Sequence, residues 1–346
     1  MRPRVAVVLF NLGGPDRPEA IWPFLLNLFN DPAILRVPFF VRPLLARRIA
    51  SARLEPARAS YAVLGGRSPL LDLTQEQATA LAADLTEAEA RCFIAMRYWH
   101  PFSDATAKAV RDWGPDEVVL LPLYPQYSST TTGSSLTAWR EAAARVGLIA
   151  ATSVVCCYPV DPGYVAATVS LLRQSWDKAC AVLDPGIPLR ILFSAHGLPQ
   201  AIVDAGDPYQ WQVEQTVAGV VEGFGQQLDW TICYQSRATP QRWIEPSTEH
   251  EIERAAKDKV AVLVVPIAFV SEHSETLVEL DVDYRGLADR LGVPGYFRMP
   301  TQNSDTAFIA ALAGLVRRTR NGGPRQRLCP GECRLCPTPA TVESGR

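Results

Sequence analysis

The sequence predicts an α/β protein made of two similar lobes, each with a parallel sheet. Three observations predict it. Short apolar, β-rich runs alternate with longer amphipathic ones, the pattern of βαβ units. A length of 346 residues favours two domains, each able to bury a core. The two halves also echo each other. Phe10-Asn11-Leu12-Gly13-Gly14-Pro15 and Ser194-Ala195-His196-Gly197-Leu198-Pro199 are both strand exits made of a polar residue, Gly and Pro, and Leu120-Leu121-Pro122-Leu123 matches Val264-Val265-Pro266-Ile267.

The strands expected in the first half are Val5–Phe10, Cys92–Arg97, Glu117–Leu121 and Ala151–Cys156. Those of the second are Arg190–Ser194, Trp230–Tyr234 and Val260–Val265. Helix starts are expected at Thr74 with Gln77 and at Thr248 with Glu251, which have capping-box spacing, and at Thr239-Pro240. His250 falls in the second box and reads as an exposed first-turn residue. On this pattern the chain divides into a lobe over 1–150, a lobe over 151–324 and a cysteine-bearing tail over 325–346.

An apolar insert at about 18–73 breaks the symmetry. It holds Trp22 to Phe29 and Val37 to Leu45, with Arg42, Arg47 and Arg48 among or after them. Prolines and Asp31 interrupt it, so it is not a membrane span. Two readings stand: a pocket rim resting on a bilayer surface, or helices packed on the core.

Composition narrows the function. A net charge of −2 implies no polyanionic partner and no nucleic acid. Strand Val5–Phe10 begins so early that no room is left for a signal peptide, which together with the absence of a spanning segment predicts a cytoplasmic protein. Eight cysteines in such a chain point to metal or catalysis rather than a disulfide scaffold. Neither G-x-G-x-x-G nor G-x-x-x-x-G-K-[ST] occurs, so no nucleotide is expected. The nucleophile elbow G-x-S-x-G is absent too.

What remains is imidazole and carboxylate. Of four histidines, His196 and His273 sit at strand exits, and Glu275 lies two residues past the second. Ligands of open α/β sheets bind beyond the carboxyl ends of strands. A neutral imidazole accepts protons near neutral pH and ligates Fe(II) or Zn(II). A glutamate in an apolar cleft can shuttle protons. Small residues flanking His196, above all Gly197, would let backbone and ligand approach closely.

These motifs, taken in order, identify the chain as resembling the ferrochelatases along nearly its whole length. The matching residues are Leu9 to Pro15, Leu64-Gly65-Gly66-Arg67-Ser68-Pro69-Leu70, Ala95-Met96-Arg97-Tyr98-Trp99-His100-Pro101 and Leu123-Tyr124-Pro125-Gln126-Tyr127-Ser128. They continue through Thr132-Gly133-Ser134-Ser135, Ser194 to Pro199, Tyr234-Gln235-Ser236-Arg237 and His273 to Asp281. The resemblance implies two Rossmann-like lobes of class II chelatase type, pseudo-twofold related, with a porphyrin in the cleft between them. It implies insertion of Fe(II) into protoporphyrin IX, giving protohaem and two protons. His196 would accept protons or face the metal, and Glu275 with His273 would relay protons or metal across the ring. Arg53 and Ser68 would meet propionates, while Tyr61, Arg97, Tyr98, Tyr124 and Gln126 would wall the pocket. The insert, over about 21–45, would form the lip and touch the inner face of the cytoplasmic membrane, and a homodimer is compatible with the family.

The tail carries Cys329, Cys333 and Cys336 as C-x₃-C-x₂-C. Three thiolates so close suit a cluster or zinc, each of which wants a fourth ligand. Some ferrochelatases hold a 2Fe–2S cluster on such a tail, with an upstream cysteine at the position occupied here by Ser129. Cys157 or Cys156 would have to replace it; Cys92, Cys180 and Cys233 read as ordinary semi-buried thiols. Three alternatives stand beside this reading: a chelatase for another tetrapyrrole (coproporphyrin III or a cobalt chelatase), an inactive haem-binding sensor, and a structural zinc protein.

Overall fold

A computed structural model describes residues 2–237 and 241–322. The chain forms two compact units. One runs through Cys157 and takes the chain back from Leu312 onward; the other is Tyr158–Ala311.

The first unit alternates strands and helices: β1 (Arg4–Asn11), α1 (Ile21–Phe29), α2 (Arg42–Val63), α3 (Leu70–Asp84), β2 (Glu89–Met96), α4 (Ser103–Trp113), β3 (Glu117–Pro122), α5 (Ser134–Val146) and β4 (Ala151–Val154). Its four strands are parallel in the order β2-β1-β3-β4. The central strand β1 is buried from Val5 to Asn11, as expected where helices cover both faces of a parallel sheet. On one face Ala6, Val8 and Phe10 meet Val118, Leu120, Phe93 and Trp139.

The second unit repeats the plan with α6 (Pro162–Val182), β5 (Leu189–His196), α7 (Gln200–Asp204), α8 (Tyr209–Phe224), β6 (Asp229–Gln235), α9 (Thr248–Asp258), β7 (Ala261–Pro266), a π-helical segment (Glu275–Tyr284), α10 (Arg285–Leu291) and β8 (Tyr296–Arg298). Helix α11 (Thr306–Arg320) then crosses from the second unit back into the first. The second sheet is also parallel, ordered β6-β5-β7-β8. In both sheets the first strand lies between the second and the third, so the echo read in the sequence is a repeated topology. Alternation along β5 builds two cores. Ile191, Phe193 and Ala195 pack with Leu172 of α6 and Val213 and Val217 of α8. Leu192 packs with Ile252 of α9, Ala288 of α10, and Leu280 and Tyr284 of the π-helical segment. Each Leu, Ile, Val or Phe side chain so removed from water contributes about 1.5–3 kcal/mol.

Three local readings are corrected. Thr74 does not start a helix: it lies inside α3, fully buried, donating to the Leu70 carbonyl at 2.6 Å and accepting from Asn11 Nδ2 at 3.1 Å. Ser68 marks that helix start instead, accepting from Leu70 N. The α9 cap is Ser247, one residue before the expected Thr248, and accepts from His250 N. His250 is exposed, as expected. Cys180 is exposed rather than semi-buried. Thr239-Pro240 and the cysteine tail lie outside the described residues. Strand β8, three residues long, carries too little pattern to be seen in sequence.

The insert packs partly on the core, as one of its two readings expected, and leaves other apolar residues exposed. Ile21, Phe24 and Leu25 of α1 are buried with Ala50 and Tyr61 of α2. Phe39, Phe40 and Leu44 are 78, 71 and 75% exposed. Among the described residues no helix is long and apolar enough to cross a membrane.

Candidate active site

The second unit gathers His196, His273 and Glu275. His196 is the last residue of β5, paired in register with Gln235 of β6. Gly197 holds the two strand ends together through its N–H to the Gln235 carbonyl at 2.7 Å. A Cβ at Gly197 would lie 2.7 Å from that carbonyl and 3.2 Å from the Trp243 ring. The close approach read from the sequence is thus one of chain to chain.

His196 Nδ1 lies 2.5 Å from the Gly197 carbonyl. A carbonyl only accepts, so Nδ1 carries the proton and Nε2 is left for chemistry. Nε2 faces Glu275 Oε1 at 3.6 Å, and His273 Nε2 stands 3.4 Å from Glu275 Oε2. Phe269 lies edge-on between the imidazoles, 6.5 Å from one ring and 4.7 Å from the other.

Glu275 opens the π-helical segment, and Glu279 lies four residues on. Burial is the largest influence on Glu275 and pushes its pKa up, but the two imidazoles outweigh it and hold the carboxyl at about 2. Burial raises Glu279, the Glu275 charge raises it further, and here the opposing hydrogen bonds do not win. Those bonds come from Gln235 Nε2 at 3.0 Å, Ser236 N at 2.9 Å, Ser236 Oγ and Tyr284 Oη at 3.0 Å. Neighbouring carboxyls are thereby pushed apart, one towards the charged form and one towards the neutral, which is how acid and base roles divide in one pocket. His273 Nδ1 and the Tyr209 hydroxyl are buried without hydrogen-bond partners.

The first unit handles its strand exits differently. Past β2, Arg97 pairs with buried Asp31 at 2.8 Å and donates through Nε to Ser134 Oγ at 2.6 Å. Ser134 and Tyr98 both donate to the same Asp31 oxygen. Tyr98 is fully buried; Tyr61, Ser68, Tyr124 and Gln126 retain 2–8% exposure, and Arg53 on α2 is half-buried. Burial pushes the Tyr124 hydroxyl above its ordinary range.

Sequence reasoning gave no site role to Gln235, Phe269, Asp31 or Ser134. Gln235 stands at a strand exit and was findable by the rule that found His196. Asp31, in the loop after α1, gives no local signal. Among the described residues no cluster of three or more His, Cys, Asp or Glu side chains is arranged to hold a metal ion. Cys157 is buried and Cys156 half-buried just past β4.

The fold is that of the chelatases. SirB from Bacillus subtilis with Fe3+ aligns at a TM-score of 0.53 and 11% identity, over 92% of this chain and 95% of that one. The sirohydrochlorin chelatase SirB from B. subtilis subspecies spizizenii in complex with cobalt aligns at 0.51 and 13%, over 92 and 96%. The family pattern described as Ferrochelatase matches residues 4–320. Proteins named ferrochelatase share 51% identity from Caulobacter vibrioides (92% of this chain, 90% of that protein), 52% from Phenylobacterium zucineum (90 and 90%) and 47% from Hyphomonas neptunium (97 and 93%). This chain belongs to the ferrochelatase family.

Proposed function

We propose that this protein inserts Fe(II) into protoporphyrin IX, releasing two protons and forming protohaem. One observation carries the reading: in a chain of this family, His196 Nε2 stands 3.6 Å from one oxygen of the buried Glu275 carboxylate, with His273 on its other oxygen. Metalation must remove two pyrrole protons, one at a time. His196 Nε2 takes each from the ring nitrogen and, its side chain being 39% exposed, releases it to water before the next, and the same two groups face the entering metal. A protonated His196 is stabilised by the Glu275 charge, and His273 keeps that carboxylate ionised between transfers. Among the first-unit residues, Arg53 is assigned to a propionate. Arg97 and Tyr98 are spent on Asp31 and support the wall from behind. Tyr61, Ser68, Tyr124 and Gln126 contribute only narrow exposed edges. The test is anaerobic Fe(II) insertion followed by absorbance, with protoporphyrin IX and coproporphyrin III compared. Haem formation that His196→Ala abolishes is expected, and turnover of coproporphyrin alone would reassign the substrate.

Two finer parts of the proposal rest on less. Cys329, Cys333 and Cys336 with Cys157, or Cys156, are assigned to a 2Fe–2S cluster, supported by their spacing and by the upstream pair lying together after β4. Equal iron and labile sulfide in protein purified without air, lost in Cys333→Ser, is the expected result. Phe39, Phe40 and Leu44, beside Arg42, Arg47 and Arg48, are assigned to reversible contact with an anionic bilayer surface. Flotation with phosphatidylglycerol vesicles, weakened by the triple serine variant, tests it.

A further inference from the structure

The stretch that carries His273 and Glu275 is the least regular part of the second unit. Six residues of loop separate the end of β7 from His273, and a π-helical segment follows, a form rarely longer than one turn. Something other than regular backbone bonding must hold these groups opposite His196. The contacts converge on one side chain. Arg298 of β8 donates Nη1 to Glu272 Oε1 at 2.9 Å, immediately before His273. Its other edge forks onto Asp281 of the π-helical segment, Nε to Oδ1 and Nη2 to Oδ2, both at 2.7 Å. Neighbours of Arg298 reinforce both ends. Thr301 N donates to Glu272 Oε1 at 2.9 Å, Glu272 N donates to Asn303 Oδ1 at 3.0 Å, and the Tyr296 hydroxyl donates to the Leu280 carbonyl at 2.6 Å.

Arg298 and Glu272 are only 10 and 11% exposed. A buried ion pair is a poor source of net stability, because desolvation consumes most of the attraction. A three-residue strand with two carboxylates on one guanidinium is therefore an expensive way to hold a sheet edge and a specific way to fix a distance. We infer that Arg298 is a positioning residue for the metalation reaction: by clamping residues 272 and 281 it sets where the imidazole of His273 and the carboxylate of Glu275 stand against His196 Nε2. This rests on the catalytic reading of those three residues. Only a planar fork reaches two carboxylates at once, so lysine cannot substitute.

The experiment measures kcat, porphyrin affinity by fluorescence quenching, and melting temperature in four full-length variants. They are Arg298→Lys, Arg298→Met, the triple variant Arg298→Met/Glu272→Gln/Asp281→Asn, and Glu275→Gln. Misplacement by about 1 Å costs on the order of 100-fold in rate, so kcat of each Arg298 variant is expected to fall about 30- to 100-fold. Porphyrin affinity should stay within about twofold, since the Arg298 guanidinium is engaged by Glu272 and Asp281. The triple variant leaves no unpaired buried charge, so its melting temperature recovers while its kcat does not. Recovery of kcat together with melting temperature would make Arg298 merely structural and overturn the inference, as would a wild-type kcat in Arg298→Lys. Should Arg298→Met fail to fold, those two variants still decide. An active Glu275→Gln would instead sink the catalytic reading itself.

Discussion

The two sheets have the same strand order but spend their strand exits in opposite ways. In the first unit the polar groups past β1 and β2 are bonded to one another. Asn11 accepts from Leu12 N and donates to Thr74, and Arg97, Tyr98 and Ser134 converge on Asp31. The buried side chains there that lack partners are neutral, among them the Trp99 indole and the hydroxyls of Tyr124, Thr132 and Ser135. In the second unit the unpartnered atoms include His273 Nδ1, which can carry a proton, and Glu275 Oε2 has only the His273 imidazole, at 3.4 Å. A duplicated scaffold thus separates two tasks. One sheet's exits close their polar groups on one another, while the other's set two imidazoles and two carboxyls side by side.

The largest expected effect breaks that division on the reactive side. His196→Ala should lower kcat about 10²- to 10⁴-fold, the range for a lost general base, with porphyrin affinity retained. On the satisfied side the damage should fall on stability. Asp31→Ala strands the Arg97 guanidinium and should cost about 3 kcal/mol, the low end for a broken buried pair because Arg97 keeps 23% exposure. Urea unfolding measures it, and a larger fractional loss of kcat than in His196→Ala would dissolve the contrast between the sheets.

Gly197→Ala should cost about 1–3 kcal/mol by overpacking the Gln235 carbonyl and Trp243. It should also lower activity, because the same strand end carries His196. A further effect is one of pH. Glu275 sits near 2 in the folded protein, below its ordinary 4.5, so its ionisation stabilises the fold above pH 4.5 and the gain is lost as pH falls toward 2. The melting-temperature gap between wild type and Glu275→Gln should narrow as pH falls below 4.5. A gap that widens on acidification would mean that Glu275 is not held as the anion.

His196 and Glu275 were legible because strands announce themselves by apolar runs, and an ionisable residue where such a run stops is conspicuous. The repeat was legible through Gly and Pro at matching exits. What escaped was non-local. Asp31 and Arg97 are 66 positions apart in the sequence, and Glu272 meets Arg298 only because β8 pairs with β7. Thr74 misled because the sequence offers its hydroxyl to a backbone N–H, whereas the fold gives it the Leu70 carbonyl and the Asn11 amide. The π-helical segment has no periodicity of its own in Glu275 to Tyr284 that would separate it from an ordinary helix.

The path of the chain has a consequence for biogenesis. The second unit is one uninterrupted stretch, Tyr158–Ala311, but the first is completed only by residues from Leu312 onward, where Arg317 reaches Asp84 and Glu87 and Arg320 reaches Glu117. At about 5–20 residues per second, a ribosome needs roughly 8–30 s after finishing Cys157 to supply that last piece. The half made first is thus the half finished last. Throughout that interval its acidic acceptors, and the apolar surface awaiting the closing helix, stand open to chaperones, proteases and premature self-association.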